Sequence, residues 1–168
     1  MLKEIGFLDG YSQLIDALRG RGAFLVTGIQ KPNAMTIGWA SLGLIWSKPI
    51  LSVLVRPSRH SFLLMNSHDE FVVSVPPPEM NKQLAVCGSR SGRDIDKFSE
   101  CSFTAGAGIK VKVPHIEECP LHFECKIVHK NNVEADRLSA AIASQYYPGG
   151  DFHTIYYGEI IGAFKKED

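Results

Sequence analysis

The sequence predicts an α+β protein whose sheet is largely antiparallel and closes into a barrel. Apolar runs of strand length follow one another along the chain, and many are separated only by short turns. Helical patterns are fewer and lie between these runs. Because short turns join antiparallel neighbours whereas parallel strands need long crossovers, this order favours an antiparallel barrel over a doubly wound sheet.

The first third of the chain contains one short helix followed by successive strands. Residues 14–18 carry apolar side chains at helical spacing and precede two glycines, Gly20 and Gly22. Turns that contain proline then separate strand candidates. The predicted strands are residues 23–27, 35–41, 42–46 and 50–55.

The rest of the chain alternates helices and strands more evenly. Ser58 is a favourable N-cap for a helix that contains Phe62 and Met65, and three prolines end the next strand. The remaining predicted elements are strands over 71–75, 109–113, 121–128 and 154–164, helices over 79–86 and 134–147, and a polar glycine loop over 87–97. No change in composition marks a linker, so we expect a single domain spanning residues 1–168.

Composition and charge exclude several classes of function. The 168 residues include 18 basic and 18 acidic side chains, so bulk charge predicts no surface for a polyanion and no nucleic-acid partner. No apolar run approaches the roughly 20 residues of a membrane span. The first residues also lack the apolar stretch of a signal peptide. We therefore expect no membrane partner and a cytoplasmic location.

The cysteines predict reduced thiols and no metal site. No C-x-x-C motif is present, and no secretory context favours disulfides. His115, Cys119, His122 and Cys125 are residue types that bind zinc. In a strand that begins near Cys119, however, His122 points away from the face that Cys119 and Cys125 share. We expect the thiols in the core and His122 on the solvated face.

Common catalytic and nucleotide motifs are also missing. The segment Gly106-Ala107-Gly108 lacks the third glycine and the following helix of a dinucleotide-binding fingerprint, and no P-loop motif occurs. No G-x-S-x-G motif presents a serine nucleophile to His153 and Asp151. The sequence therefore favours neither a Rossmann protein nor a serine hydrolase.

A basic turn after the fourth predicted strand is a candidate anion site. Arg56 and Arg59 can bind phosphate oxygens in forked geometry, and Ser58 and Ser61 add hydroxyl donors. The start of a helix contributes unpaired N–H groups at the same place. The alternative is a solvated basic turn in which Ser58 only caps the helix.

The segment from Lys31 to Ser41 indicates a site for a planar ligand. It combines small and polar residues with aromatic ones where a simple buried strand would hold branched aliphatic residues. Hydrogen bonds and ring contacts could come from Asn33, Thr36, Ser41, Met35, Trp39 and Trp46. The alternative is that Asn33 belongs to a turn and that the aromatic residues are core.

Five segments together resemble the flavin reductase-like family with the FMN-binding split-barrel fold, and most closely its flavoredoxin-like branch. In order along the chain they are NAMTIGW (33–39), KPILSVLVRPSRHS (48–61), EFVVSVP (70–76), CGSRSGRDIDKF (87–98) and FHTIYYGEI (152–160). No single segment is diagnostic, but their order and spacing are specific.

The resemblance implies one FMN per subunit, bound at or near the interface of a homodimer. The phosphate would contact Arg56, Ser58, Arg59 and Ser61. The ring would lie along Asn33, Met35, Thr36, Ile37 and Trp39, and the loop over 87–98 would close the site through Gly88, Ser91, Gly92, Lys97 and Phe98. His153 stands at a position that matches the family, with either a structural or a site role. His60 replaces a tyrosine that relatives often carry, which leaves ring stacking there open.

Flavin chemistry would explain why no catalytic acid–base pair is visible, because the bound ring itself accepts hydride and electrons. The expected function is an FMN-binding oxidoreductase. It would pass electrons from NADH, NADPH or a redox protein to a flavin, metal complex or protein acceptor. The alternatives are an electron carrier or a sensor without turnover of a small substrate. Arg90 and Arg93 could contact a nucleotide phosphate or be solvated. No catalytic residue is assigned.

Overall fold

A computed structural model describes residues 1–167 and confirms the predicted α+β fold with an antiparallel sheet. One sheet of eight strands has the order β3-β2-β6-β9-β10-β5-β4, and β1 pairs with β10 beside this path. A separate two-stranded ladder joins β7 to β8. The strands are β1 Leu2–Ile5, β2 Ala23–Thr27, β3 Asn33–Ile37, β4 Ala40–Ile45, β5 Lys48–Val55, β6 Glu70–Val75, β7 Ala105–Gly106, β8 His115–Ile116, β9 Leu121–Asn132 and β10 Thr154–Lys166.

The described residues also form five α-helices. They are α1 Tyr11–Arg19, α2 His60–Ser67, α3 Asn81–Ser89, α4 Lys97–Glu100 and α5 Ala140–Tyr146. The N-cap of α2 is Arg59, and no side chain caps it, so the prediction that Ser58 caps this helix is wrong. Among the described residues, no helix is long and apolar enough to cross a membrane.

The sheet separates two apolar clusters, and this division follows from the alternation of side chains along a strand. Along β2, Leu25 joins the first cluster while Phe24 and Val26 join the second. The second cluster contains residues of α3, α4 and the segment from Phe103 to Cys119. The strands β2, β6 and β9 are therefore covered on both faces over this region.

This second cluster overturns the prediction that His122 faces solvent. The ring of His122 is only 1% exposed and lies 4.4 Å, centroid to centroid, from the buried ring of His115. His122 Nδ1 lies 3.0 Å from the Ser74 hydroxyl oxygen, while Nε2 of His122 and Nδ1 of His115 have no partner within residues 1–167. Strand alternation correctly turns His122 away from Cys125, but the far face is a second core.

The predicted strand over 109–113 is also wrong. Two carboxylates replace the strand ladder there: Glu124 accepts the N–H groups of Ile109 and Lys110 at 2.7 and 2.6 Å, and Glu70 accepts that of Lys112 at 2.7 Å.

The predicted helix over 134–147 is interrupted, because Ser139 caps α5 only after a 3₁₀ turn at Ala135–Arg137. The helix predicted over 79–86 extends to Ser89, so Cys87 and Gly88 are helical and not part of a loop.

The buried histidine pair predicts a loss of stability in acid. Burial, with smaller contributions from His115 and Lys166, lowers the pKa of His122 to about 3, and burial also lowers the pKa of His115. The unfolded chain therefore binds protons that the folded chain does not, and the free energy of unfolding falls as the pH drops below about 6.5. For His122 alone, we expect a loss of about 2 kcal/mol between pH 6.5 and 4.5 in urea unfolding.

Two variants test this assignment. His122→Gln is expected to be less stable at neutral pH but to show a flatter dependence on pH over the same range. His68→Gln, at an exposed position after α2, serves as the control and is expected to retain the native slope. An unchanged slope in His122→Gln would contradict the assignment.

Candidate functional site

Two adjoining cavities lie where β3, the turn after β5 and the segment between α3 and α4 meet. We call them the aromatic cavity, of about 200 Å³, and the cationic cavity, of about 150 Å³. Met35 and Arg59 line both cavities, so the two spaces share a wall. A single ligand with a flat part and a charged part could therefore occupy them together.

The aromatic cavity is built on the end of β3 and the two residues that follow it, Gly38 and Trp39. Its other walls come from the end of β5 and from a residue that precedes β10. The lining residues are Met35, Thr36, Ile37, Gly38, Trp39, Leu54, Arg56, Arg59 and His153. The Thr36 hydroxyl donates to the Leu84 carbonyl at 2.6 Å, which ties the floor of this cavity to α3.

The cationic cavity collects four basic side chains: Arg59, Arg90, Arg93 and Lys97. No Asp or Glu side chain lines it within residues 1–167. Arg90 pairs with Glu100 at 2.6 Å, whereas the other three basic residues have no ion-pair partner in the described chain. The remaining lining residues are Asn33, Met35, Ser58, His60, Ser61, Cys87, Ser89, Ser91 and Gly92.

Lys97 is the buried charge of this cavity. Only 3% of the residue is exposed, and its ammonium donates to the Cys87 carbonyl at 2.9 Å. Burial lowers the pKa of Lys97, with a smaller contribution of the same sign from Arg59. An ammonium has three N–H donors, so two remain for a ligand. This arrangement suits an anion with several acceptor oxygens.

Hydrogen bonding and close packing shape the rest of the cationic cavity. Asn33 donates its side-chain amide to the Ser61 hydroxyl at 2.9 Å, and both residues are buried. A Cβ atom at Gly92 would lie 2.1 Å from Asn33 Oδ1 and 2.9 Å from the ring of His60. Glycine is therefore required where this loop passes Asn33.

Burial, followed by the charges of Arg93, Lys97 and Lys31, lowers the pKa of His60 and favours its neutral form.

Arg56 and Ser58 bind the loop before β10. The guanidinium of Arg56 donates to the carbonyls of Tyr146 at 2.8 Å and Asp151 at 3.0 Å. The Ser58 hydroxyl donates to Asp151 Oδ2 at 2.6 Å. Asp151 itself has φ of 54°, in the left-handed region that aspartate tolerates better than most residues. Arg56 and Ser58, both predicted to contact the phosphate, thus hold a loop that borders the aromatic cavity.

The structure brings most of the predicted site residues together. Of the residues expected at a flavin, twelve line one or both cavities: Asn33, Met35, Thr36, Ile37, Trp39, Arg56, Ser58, Arg59, Ser61, Ser91, Gly92 and Lys97. Gly88 lines neither cavity, but its carbonyl accepts a hydrogen bond from Arg59 at 3.2 Å. Phe98 packs in the second core cluster, with its ring 5.6 Å from that of Phe103. Ser41 and Trp46 line neither cavity.

Sequence reasoning missed Tyr147, which contacts the ring of His153. The Tyr147 hydroxyl oxygen lies 2.7 Å from His153 Nδ1, and both residues are buried. Burial, with a further contribution from Arg56, lowers the pKa of His153 to about 4, so the ring is neutral at physiological pH. The only available clue was the placement of two tyrosines a few residues before His153.

The fold defines the class of protein, which is an α+β protein with an antiparallel sheet of the split-barrel type. A model of the flavin reductase like domain matches residues 19–168. An uncharacterized protein of Archaeoglobus fulgidus is 36% identical over 141 residues, which cover 84% of this chain and 70% of that protein. The chain therefore belongs to the flavin reductase-like family.

Solved structures show the same architecture. Flavoredoxin from Methanosarcina acetivorans matches with a TM-score of 0.68 and 28% identity, covering 86% of this chain and 68% of that chain. The FMN-binding protein from Thermus thermophilus matches with a TM-score of 0.67 and 20% identity, covering 85% and 68%. Within residues 1–167, no group of three His, Cys, Asp or Glu side chains is arranged to hold a metal ion.

Proposed function

We propose that the protein is an FMN-binding oxidoreductase that uses a reduced nicotinamide nucleotide or a redox protein as its electron donor. The observation that carries the proposal is the cationic cavity, in which, among the residues that the structure describes, Lys97 is buried with one protein partner and no carboxylate lines the space. A phosphate dianion matches this donor set, because it offers several acceptor oxygens and balances the buried charge.

The aromatic cavity supports the placement of a flavin ring beside that phosphate. Met35, Thr36 and Ile37 of β3 form one wall. The rings of Trp39 and His153, 5.0 Å apart between centroids, form another. Arg59, which the two cavities share, would link the phosphate to the ring side of the site. A bound flavin supplies hydride and electron transfer, while the protein positions it and controls the access of water.

Selectivity for FMN over riboflavin tests this proposal. Riboflavin lacks the phosphate, so FMN is expected to bind far more tightly in a fluorescence titration. Because a charge-assisted contact to a buried phosphate contributes about 2 to 5 kcal/mol, Arg59→Ala should weaken FMN binding about 30-fold or more and leave riboflavin affinity nearly unchanged. Equal weakening of both ligands would contradict a phosphate contact. The affinity for FAD, measured in the same titration, tests whether the size of the cationic cavity limits binding to FMN.

Anaerobic mixing with NADH or NADPH tests whether a nicotinamide nucleotide is the donor, and it separates an enzyme of that kind from the second candidate, an FMN-holding electron carrier or sensor. An enzyme should lose its oxidised flavin absorbance rapidly in a stopped-flow trace with one of the two nucleotides. A carrier should retain it until a protein donor is added. The family membership favours the first result, and the cytoplasm is the compartment we propose for it.

We also propose a homodimer, based on the hairpin formed by β4 and β5. Leu44 is 69% exposed and Trp46 is 58% exposed, at the edge of the sheet. Trp46 forms an exposed aromatic group with His129 and Tyr157, at centroid distances of 5.9 and 6.3 Å. Such a patch is typical of an interface between subunits.

Sedimentation at micromolar concentration is expected to give twice the chain mass of 18.6 kDa. Leu44→Arg should move the protein toward the monomer, because it places a charge in the apolar patch. Lys82→Glu, at an exposed position on α3 away from the hairpin, is the control. A native protein that sediments as a monomer with flavin bound would contradict the dimer.

A further inference from the structure

A buried hydrogen bond at the edge of the aromatic cavity is not explained by the binding of a phosphate or by the packing of the sheet. It joins the Tyr147 hydroxyl to His153 Nδ1 at 2.7 Å, and these residues are 7% and 9% exposed. His153 lines the aromatic cavity, and its ring lies 5.0 Å from that of Trp39. The two rings are nearly perpendicular, at 80°.

The direction of this hydrogen bond follows from the cost of a buried donor without a partner. Within residues 1–167, the Tyr147 hydroxyl hydrogen-bonds no other group than His153. If His153 Nδ1 carried the hydrogen, the buried O–H of Tyr147 would donate to nothing, which costs more than an unused lone pair. The hydroxyl therefore donates to Nδ1. Because the ring is neutral, its hydrogen is then on Nε2.

Tyr147 packs against two neighbours, so it can fix the orientation of the histidine. The Arg56 guanidinium lies 5.0 Å from the centroid of the Tyr147 ring and donates to the carbonyl of the preceding residue, Tyr146. Phe152 also stacks on Tyr147, with the ring centroids 4.7 Å apart and an angle of 21° between the rings. The contacts of Arg56 with this loop therefore set the position of the Tyr147 hydroxyl.

We propose that Tyr147 is a positioning residue that holds neutral His153 as the Nε2–H tautomer, a fixed hydrogen-bond donor to a flat electron-accepting ring in the aromatic cavity. The inference rests on the proposed function for the identity of that ring. A neutral N–H donor stabilises negative charge that develops on a ring oxygen or nitrogen as electrons arrive, and it needs no reorientation at that moment. Arg56 assists by holding Tyr147.

The tautomer can be measured in the protein without flavin. In ¹⁵N spectra of the histidine-labelled chain, with His153→Gln used to assign its signals among the six histidines, native His153 is expected as the Nε2–H form. Tyr147→Phe should give a mixture of the two neutral tautomers. Tyr146→Phe is the matched control, because it removes a neighbouring hydroxyl that does not bond His153, and it should match the native spectrum. A native Nδ1–H form, or an unchanged spectrum in Tyr147→Phe, would overturn the proposal.

The second measurement uses the protein loaded with FMN. One hydrogen bond contributes about 1 kcal/mol, so Tyr147→Phe should reduce the preference for reduced over oxidised FMN about fivefold, seen as a more negative midpoint potential. Tyr146→Phe should retain the native potential. Equal potentials in all three proteins would overturn the donor role of His153. Failure of the native protein to bind FMN would instead contradict the proposed function, and the tautomer spectra would still decide the role of Tyr147.

Discussion

Replacement of Lys97 by methionine is expected to weaken FMN binding about 100-fold, because it removes a buried ammonium that would contact the phosphate. The apo protein should be as stable as the native one or slightly more stable. The reason is that Lys97 is buried with a single hydrogen bond, to the Cys87 carbonyl, and burial already lowers its pKa. Methionine has a similar length and carries no charge to desolvate.

Parallel titrations with FMN and riboflavin, together with urea unfolding of the apo protein, test this expectation. Riboflavin affinity should change little in Lys97→Met. Lys82→Met is the control, since Lys82 is exposed on α3, and it should bind FMN as the native protein does. Unchanged FMN affinity in Lys97→Met would place the phosphate outside the cationic cavity.

The second large effect concerns stability, and it centres on Glu124. This carboxylate is fully buried on β9 and accepts the backbone N–H groups of Ile109 and Lys110. Glu124→Ala leaves both donors without a partner, and we expect the free energy of unfolding to fall by about 3 to 5 kcal/mol. Glu124→Gln keeps one acceptor oxygen, so its loss should be roughly half as large.

Urea unfolding at neutral pH measures both losses. The control is Glu159→Gln, which breaks the partly exposed ion pair with Lys48 and should cost less than about 1 kcal/mol. If Glu124→Ala cost no more than Glu159→Gln, the carboxylate would not be the main anchor of the segment over 109–113.

The local pattern of the sequence was sufficient for the order and type of most elements. The turn at Trp46 and Ser47 joins β4 to β5, which pair antiparallel as so short a connection requires. The prolines after Val75 mark the end of β6. Twelve residues that line the cavities were also expected at the site, because they belong to segments that resemble the flavin reductase-like family in order and spacing. Predictions failed where a distant side chain replaced a local partner. The carboxylate of Glu124 accepts the N–H groups of Ile109 and Lys110, and the spacing of apolar residues along the sequence gives no sign of such a contact.

By itself, the sequence determined the antiparallel fold, the family and many of the residues that line the two cavities. Only the tertiary structure decided the state of each group there. Lys97 is buried and short of partners, Arg56 binds the loop before β10, and Tyr147 bonds His153. The physical reason is that burial and hydrogen bonding depend on which chain segments cover a residue. Alternation along β9 determines that His122 and Cys125 face opposite ways, but the packing of the segment from Phe103 to Cys119 decides that both faces are dry.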